Sequence, residues 1–228
     1  MATADGVVWD NPCQISNEHE TVADYTADVW CLSPEEQIER WQDVEWFPGE
    51  PGDRIVDVGC GPGNYRRLFT EIMGFEYEGC DVSEAMLRRA REANPDIEFR
   101  RGRLPVDQAD HSHLPYADAS REIVFCTDVL QHLMASVPAL EELTRVARDW
   151  VVVHQRAMLE GAPTRYRTHR GPHGQIVRIE TLPLVRETMM EFCPEAEEHT
   201  LSEFTIENEE FGERLVGDLY WVIPQKSE

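Results

Sequence analysis

Three features of the chain have the residue types and spacing for chemistry. The first is Val56-Asp57-Val58-Gly59-Cys60-Gly61-Pro62-Gly63-Asn64, in which glycines alternate directly after a short β-branched run. Glycines at a strand-to-helix turn permit a tight bend and let the backbone approach a ligand. Two residues narrow the ligand. A dinucleotide fingerprint needs a glycine at position 64, and that residue is Asn64. Asp57 precedes the first glycine by two residues, where it would repel a pyrophosphate but attract a ligand carrying an ammonium and a sulfonium. The second feature is Asp81, 18 residues after Gly63 and at the end of the next strand pattern. A carboxylate there can accept both hydroxyls of a ribose. The third is a set of histidines, His132, His154, His169 and His173, which are candidates for proton transfer.

The surrounding pattern shows what must position them. Ser33-Pro34-Glu35-Glu36 reads as a helix start with a capping box, and the turn cluster Pro48 to Asp53 closes the first part of the chain. Strand and helix signals then alternate: strand from Arg54 to Val58, helix over 64–73, strand from Phe75 to Cys80, and a helix capped by Ser83. A third strand covers Ile97 to Arg101, a fourth Ile123 to Cys126. A helix opens at Ser136, and a fifth strand runs from Trp150 to Val153. Beyond residue 174 the pattern changes to strands over 176–180, 201–207 and 218–223 and a helix over 182–193. This predicts an α/β fold, a Rossmann-like, mostly parallel sheet with helices on both faces and an antiparallel edge pair near the C-terminus. Residues 1–50 are expected to form an N-terminal helical lid and residues 51–228 the main domain.

The segment from Arg54 to His154 resembles the class I methyltransferases, particularly those acting on small molecules. Asp57 to Gly63 looks like that family's first motif and Gly79-Cys80-Asp81-Val82-Ser83-Glu84-Ala85-Met86-Leu87 like its second. Leu114 to Ser120 with Ile123 to Phe125 resembles the entry to its fourth strand, and Asp128-Val129-Leu130-Gln131-His132-Leu133 the helix after it. The resemblance implies S-adenosyl-L-methionine as cofactor. Gly59, Cys60, Gly61, Gly63 and Asn64 would lie along its methionine part, with Asp57 near its amino group. Asp81 would hold the ribose, Val82 and Met86 would flank the adenine, and Thr127 would border the site. The family's acid after the third strand is displaced here: Arg103 follows Gly102, and a suitable acid appears only at Asp110, four residues before Leu114. Asp110 and His111 are therefore the expected adenine contacts, with about eight residues inserted before them. By the same resemblance, His154 and His132 are candidate catalytic residues, and Tyr25 is similar to lid tyrosines of some relatives.

Charge and composition bound the acceptor. The net charge is −23, and 20 of the 21 basic residues are arginine. Such a chain suits a high-salt host or a GC-rich genome. It repels polyanions, which disfavours a nucleic-acid substrate. One segment departs from this: Gly161 to Gln175 contains Arg165, Arg167, His169, Arg170 and His173 and no acid. It is expected to form a loop that meets an anionic group, such as a carboxylate, on a small acceptor. The six cysteines include no Cys-x-x-Cys pair, so no metal is expected, and Cys60, Cys80 and Cys126 read as core residues of a reducing compartment. With no apolar run of membrane-spanning length and no signal-peptide pattern at Met1, a cytoplasmic monomer or homodimer is the expectation. The readings left open beside small-molecule O- or N-methylation are a protein or RNA methyltransferase, a nicotinamide-dependent reductase, and a non-catalytic partner subunit that keeps the cofactor fold.

Overall fold

The computed structural model describes residues 34–41, 43–155, 158–160, 166–170, 176–208 and 213–225. Ser33, Tyr25, Cys13, Cys31, Arg165 and His173 lie outside them. The strands are β1 (Arg54–Val58), β2 (Glu76–Asp81), β3 (Phe99–Arg101), β4 (Arg121–Thr127) and β5 (Ala147–Gln155). They are followed by β6 (Met158–Leu159), β7 (Tyr166–Arg170), β8 (Ile176–Glu180), β9 (Glu197–Asn208) and β10 (Glu213–Pro224). The α-helices are α1 (Pro34–Trp41), α2 (Glu84–Ala93), α3 (Val137–Val146) and α4 (Leu182–Phe192). None among the described residues is long and apolar enough to cross a membrane.

The main sheet has the order β3-β2-β1-β4-β5-β10-β6, with β9 paired to β10. The first five strands pair in parallel, and β10 runs antiparallel to β5, β6 and β9. Continuous apolar runs in β1, β4 and β5 require cover on both faces. On one face Val56, Val124, Val153 and Trp221 pack against Leu140 and Leu143 of α3 and Val185 and Met189 of α4. On the other, Ile55, Phe125, Val152 and Tyr220 pack against Trp41, Leu68, Phe69, Leu87 and Ala90. Trp41 is 2% exposed and meets Trp46, Phe47, Tyr65, Phe125 and Tyr220 edge-on or tilted. The chain reverses its winding between β1 and β4. That reversal opens a crevice at the carboxyl ends of these strands, where ligands of such sheets bind.

Four local expectations are corrected. The helix over 64–73 contains a π-helical turn, Leu68–Ile72, in which Met73 N–H donates to Leu68 O at 3.1 Å. The helix expected over Asp128 to Leu133 is only a three-residue 3₁₀ turn, Leu130–His132. It stops there because Met134 and Ala135 N–H both donate to Val106 O at 3.0 Å, so the groups that would continue it are held by another loop. The third strand begins at Phe99, since Ile97 N–H turns back to Asn94 O. Finally, the arginine-rich segment is not all loop: Tyr166–Arg170 is a strand, paired antiparallel with Ile176–Glu180 in a separate two-stranded sheet.

Candidate active site

The glycine loop is tied to β2 at its base. Gly59 and Cys60 N–H both donate to Cys80 O, at 2.7 and 3.1 Å. Gly59 has φ +83°, and a Cβ there would stand 2.2 Å from Val129 Cγ2, so no larger residue fits. Gly61 also has positive φ, but a Cβ there would meet nothing within 4 Å. Its outer side is open space, available to a ligand that approaches the backbone. Gly63 sits above Phe99, and Asn64 continues the turn.

Two buried acids face this loop from neighbouring strands. Asp57 is 1% exposed, and Tyr77 O–H donates to its Oδ2 at 2.9 Å. Burial pushes its carboxyl up to about 7, the Tyr77 bond opposes this, and the charge of Asp81 adds to the rise. Asp81 accepts Gly61 N–H on Oδ2 at 2.9 Å and Ser83 N–H on Oδ1 at 2.7 Å. Its carboxyl is also raised by burial, against the pull of these amides. A carboxylate offers about four acceptor positions, so Asp81 keeps positions for two ribose hydroxyls. Val82 is half-buried and Met86 buried at the start of α2, where Ser83 Oγ accepts Met86 N–H.

The carboxyl ends of β4 and β5 supply the next groups. Thr127 is buried and in register with His154. The Tyr65 hydroxyl bonds to Thr127, while burial and then the Asp128 charge push the Tyr65 phenol upward. Asp128 holds a positive φ of +57° although it is not glycine. Strain of this kind, about 1–3 kcal/mol, persists where surrounding structure enforces it and clusters at functional sites. Its Oδ1 lies 3.6 Å from Nδ1 of His154. His154 is 4% exposed, and its ring stacks on Tyr220 with centroids 4.3 Å apart. Thus Asp57, Asp81, the glycine loop, Thr127, Asp128 and His154 stand around the ends of four adjacent strands.

The other expected residues are placed less centrally. His132 is half-buried in the 3₁₀ turn. Asp110 spends most of its capacity on its own loop. Oδ1 accepts from Arg103 Nη2, Ser112 N and Ser112 Oγ, and Oδ2 accepts Val106 N–H. These bonds, followed by the Arg103 charge, outweigh its burial and lower its pKa. One acceptor position on Oδ2 remains. His111 beside it is exposed. Arg167, His169 and Arg170 lie on β7. Tyr65, Tyr77, Asp128 and Tyr220 were not expected in the site. Tyr77 had a local signal: it is two residues from Gly79 on β2, the residue in register with Asp57, and so shares its face.

Fold and crevice together define a Rossmann-like α/β protein with a built site for an adenosyl cofactor. The signature described as "Methyltransferase domain" matches residues 56–150. The chain is similar to 27-O-demethylrifamycin SV methyltransferase of Amycolatopsis mediterranei, 29% identical over 131 residues, covering 53% of this chain and 47% of that protein. It is also similar to demethylmenaquinone methyltransferase of Beutenbergia cavernae, 27% identical over 141 residues, covering 60% and 55%. The chain thus spans about half the length of these relatives. Among solved structures, its fold matches Haemonchus contortus phosphoethanolamine N-methyltransferase 2 in complex with S-adenosyl-L-methionine. That match has a TM-score of 0.63 and 14% identity, covering 98% of this chain and 62% of that one. The chain belongs to the class I S-adenosylmethionine-dependent methyltransferases.

Proposed function

We infer that this protein transfers a methyl group from S-adenosylmethionine to an oxygen or nitrogen atom of a small molecule. The observation that supports the reading most is the meeting of two buried acids, an open glycine loop and a His–Asp pair at one set of strand ends. When bound, the cofactor supplies a methyl carbon already activated by its sulfonium. Asp57, once ionised, attracts the cationic methionine end, and Asp81 accepts ribose hydroxyls. Val82, Met86, Asp110 and His111 border the adenine. His154 takes the proton of an O–H or N–H acceptor, and Asp128 holds the imidazole and offsets its charge. The acceptors named in the titles of the two relatives above support a small-molecule substrate for this chain too.

Arg165, Arg167, His169, Arg170 and His173 are proposed to meet an anionic group on the acceptor. We also assign residues 1–50, including Tyr25, to a lid over residues 51–228, in a cytoplasmic monomer or homodimer. The central test is calorimetric titration with S-adenosylmethionine, then transfer of a labelled methyl group to a panel of small phenols, acids and amines. Binding with turnover of at least one panel member is expected. Binding without turnover on any small acceptor would instead favour a non-catalytic partner subunit.

A further inference from the structure

A recess of about 310 Å³ lies beside the crevice, on the sheet face covered by α3 and α4. Its wall is mainly apolar: Leu140, Val153, Val185 and Met189. Leu130, just after β4, and His154 and Gln155, the last residues of β5, also line it, so it adjoins the same strand ends as the cofactor groups.

Two polar side chains in this wall lack partners. Gln155 is 4% exposed, and its Nε2 is buried with no hydrogen bond. Trp221 is 3% exposed, and its Nε1 is likewise unbonded. Each is a donor whose burial costs about 1–3 kcal/mol when it stays unmet. The two come from adjacent strands. Gln155 is in register with Leu219 and Trp221 with Val153, which makes Gln155 and Trp221 diagonal neighbours on one face. Diagonal neighbours lie about 7–8 Å apart at the backbone, within reach of long side chains converging on one atom. Two N–H donors in an apolar recess match a single strong acceptor without a charge. Glu180 of β8 also lines the recess and is raised by burial, against the charge of Arg178. A carboxylate ligand would meet that acid, whereas a neutral carbonyl would not be repelled.

We propose that this recess anchors the methyl acceptor, a small and mainly apolar molecule whose carbonyl oxygen accepts from Gln155 Nε2 and Trp221 Nε1. The assignment to the acceptor rests on the methyl-transfer reading; the carbonyl site itself does not. Strand β8, which contributes Glu180, pairs with the arginine-bearing β7, so the hairpin borders the same recess.

The test uses the full chain saturated with S-adenosylhomocysteine and two probes of similar shape, 4-fluoroacetophenone and 4-fluoro-α-methylstyrene, titrated by ¹⁹F NMR. The ketone should bind about tenfold more tightly than the alkene. Trp221→Phe and Gln155→Met should each bring the ketone close to the alkene's affinity and leave the alkene unchanged. Unchanged S-adenosylhomocysteine binding shows that each variant is folded. Equal binding of the two probes, binding of neither, or unweakened ketone binding by both variants would overturn the carbonyl site. With ¹³C-methyl-labelled S-adenosylmethionine, an NOE between the methyl protons and the bound ketone is expected. A bound ketone with no such NOE would overturn the acceptor role. Failure to bind either cofactor form, with ketone selectivity intact, would instead sink the methyl-transfer reading.

Discussion

Replacing Asp57 by asparagine separates what this acid does for stability from what it does for binding. The side chain is fully buried, and its carboxyl is raised from 3.8 to about 7. A raised carboxyl means that the folded chain binds the proton more tightly than the unfolded chain. Its contribution to stability is therefore present below pH 4 and lost as pH rises to 7. At 1.36 kcal/mol per pH unit, the shift corresponds to about 4 kcal/mol of stability lost above pH 7. An amide keeps an acceptor for the Tyr77 hydroxyl and carries no charge. After allowing about 1–2 kcal/mol for burying the amide, Asp57→Asn should raise the Tm of the cofactor-free protein at pH 8 by about 5–10 °C. At pH 5, where the wild-type group is already neutral, the gain should vanish. Affinity for S-adenosylmethionine at pH 8 should fall about 10–100-fold, the worth of a charge-assisted hydrogen bond. Thermal melts at both pH values and calorimetry at pH 8 check this. A Tm change of equal size at pH 5 and pH 8, or a loss of stability at pH 8, refutes the reasoning.

Gly59→Ala forces a Cβ to within 2.2 Å of Val129 at a positive φ. It should cost about 1–3 kcal/mol and abolish cofactor binding; adding Val129→Ala should restore part of the Tm, because the clash is relieved while the backbone strain is not. His154→Asn should lower kcat about 100-fold or more while the Kd for S-adenosylmethionine stays within threefold, and steady-state kinetics beside calorimetry would show it. Glu142 is 5% exposed and accepts Leu114 N–H at 2.7 Å and two Arg145 bonds at 2.6 and 2.8 Å. Glu142→Ala should cost about 2–4 kcal/mol at pH 7. Despite burial, the Arg145, Leu114 and His113 bonds lower the Glu142 carboxyl, so its stabilisation is present above pH 4.5 and fades on acidification. The Tm difference between wild type and variant should shrink below pH 4. Charge reversal at Arg167 or Arg170 should raise the acceptor KM at least fivefold with little change in cofactor affinity, and an unchanged KM would remove the hairpin from acceptor recognition.

The cofactor side of the crevice was legible because its signals are local. Strand β1, the glycines and Asp57 lie within ten consecutive residues, and Ser83 both ends the Asp81 strand and caps the next helix. The buried runs of β4 and β5 were equally plain, though each strand extends beyond its apolar centre. The recess was not legible. Gln155, Glu180 and Trp221 lie on three strands separated by 25 and 41 residues, and only the antiparallel insertion of β10 beside β5 brings two of them together. The short turn after β4 was misjudged for a related reason: the partner of Met134 and Ala135 is Val106, in a loop whose inserted residues have no local signature. Tyr65 reads as an ordinary helix residue until Thr127 and Asp128 are placed against it.

Strand β10 has an irregular register between Gly217 and Leu219 relative to β9. Before that point it pairs with β6; after it, with β5. Because side chains alternate along a strand, the adjacent residues Tyr220 and Trp221 point to opposite faces. Tyr220 backs His154 on one face, and Trp221 borders the recess on the other. A single peptide bond thus links the support of the proton acceptor to the floor of the recess, and a slip of one residue would exchange them. The irregularity works as an alignment pin: it absorbs any mismatch with β6 and β9 before the strand reaches β5. An insertion or deletion between residues 213 and 217 is then tolerated, whereas one between 219 and 223 misaligns both faces together.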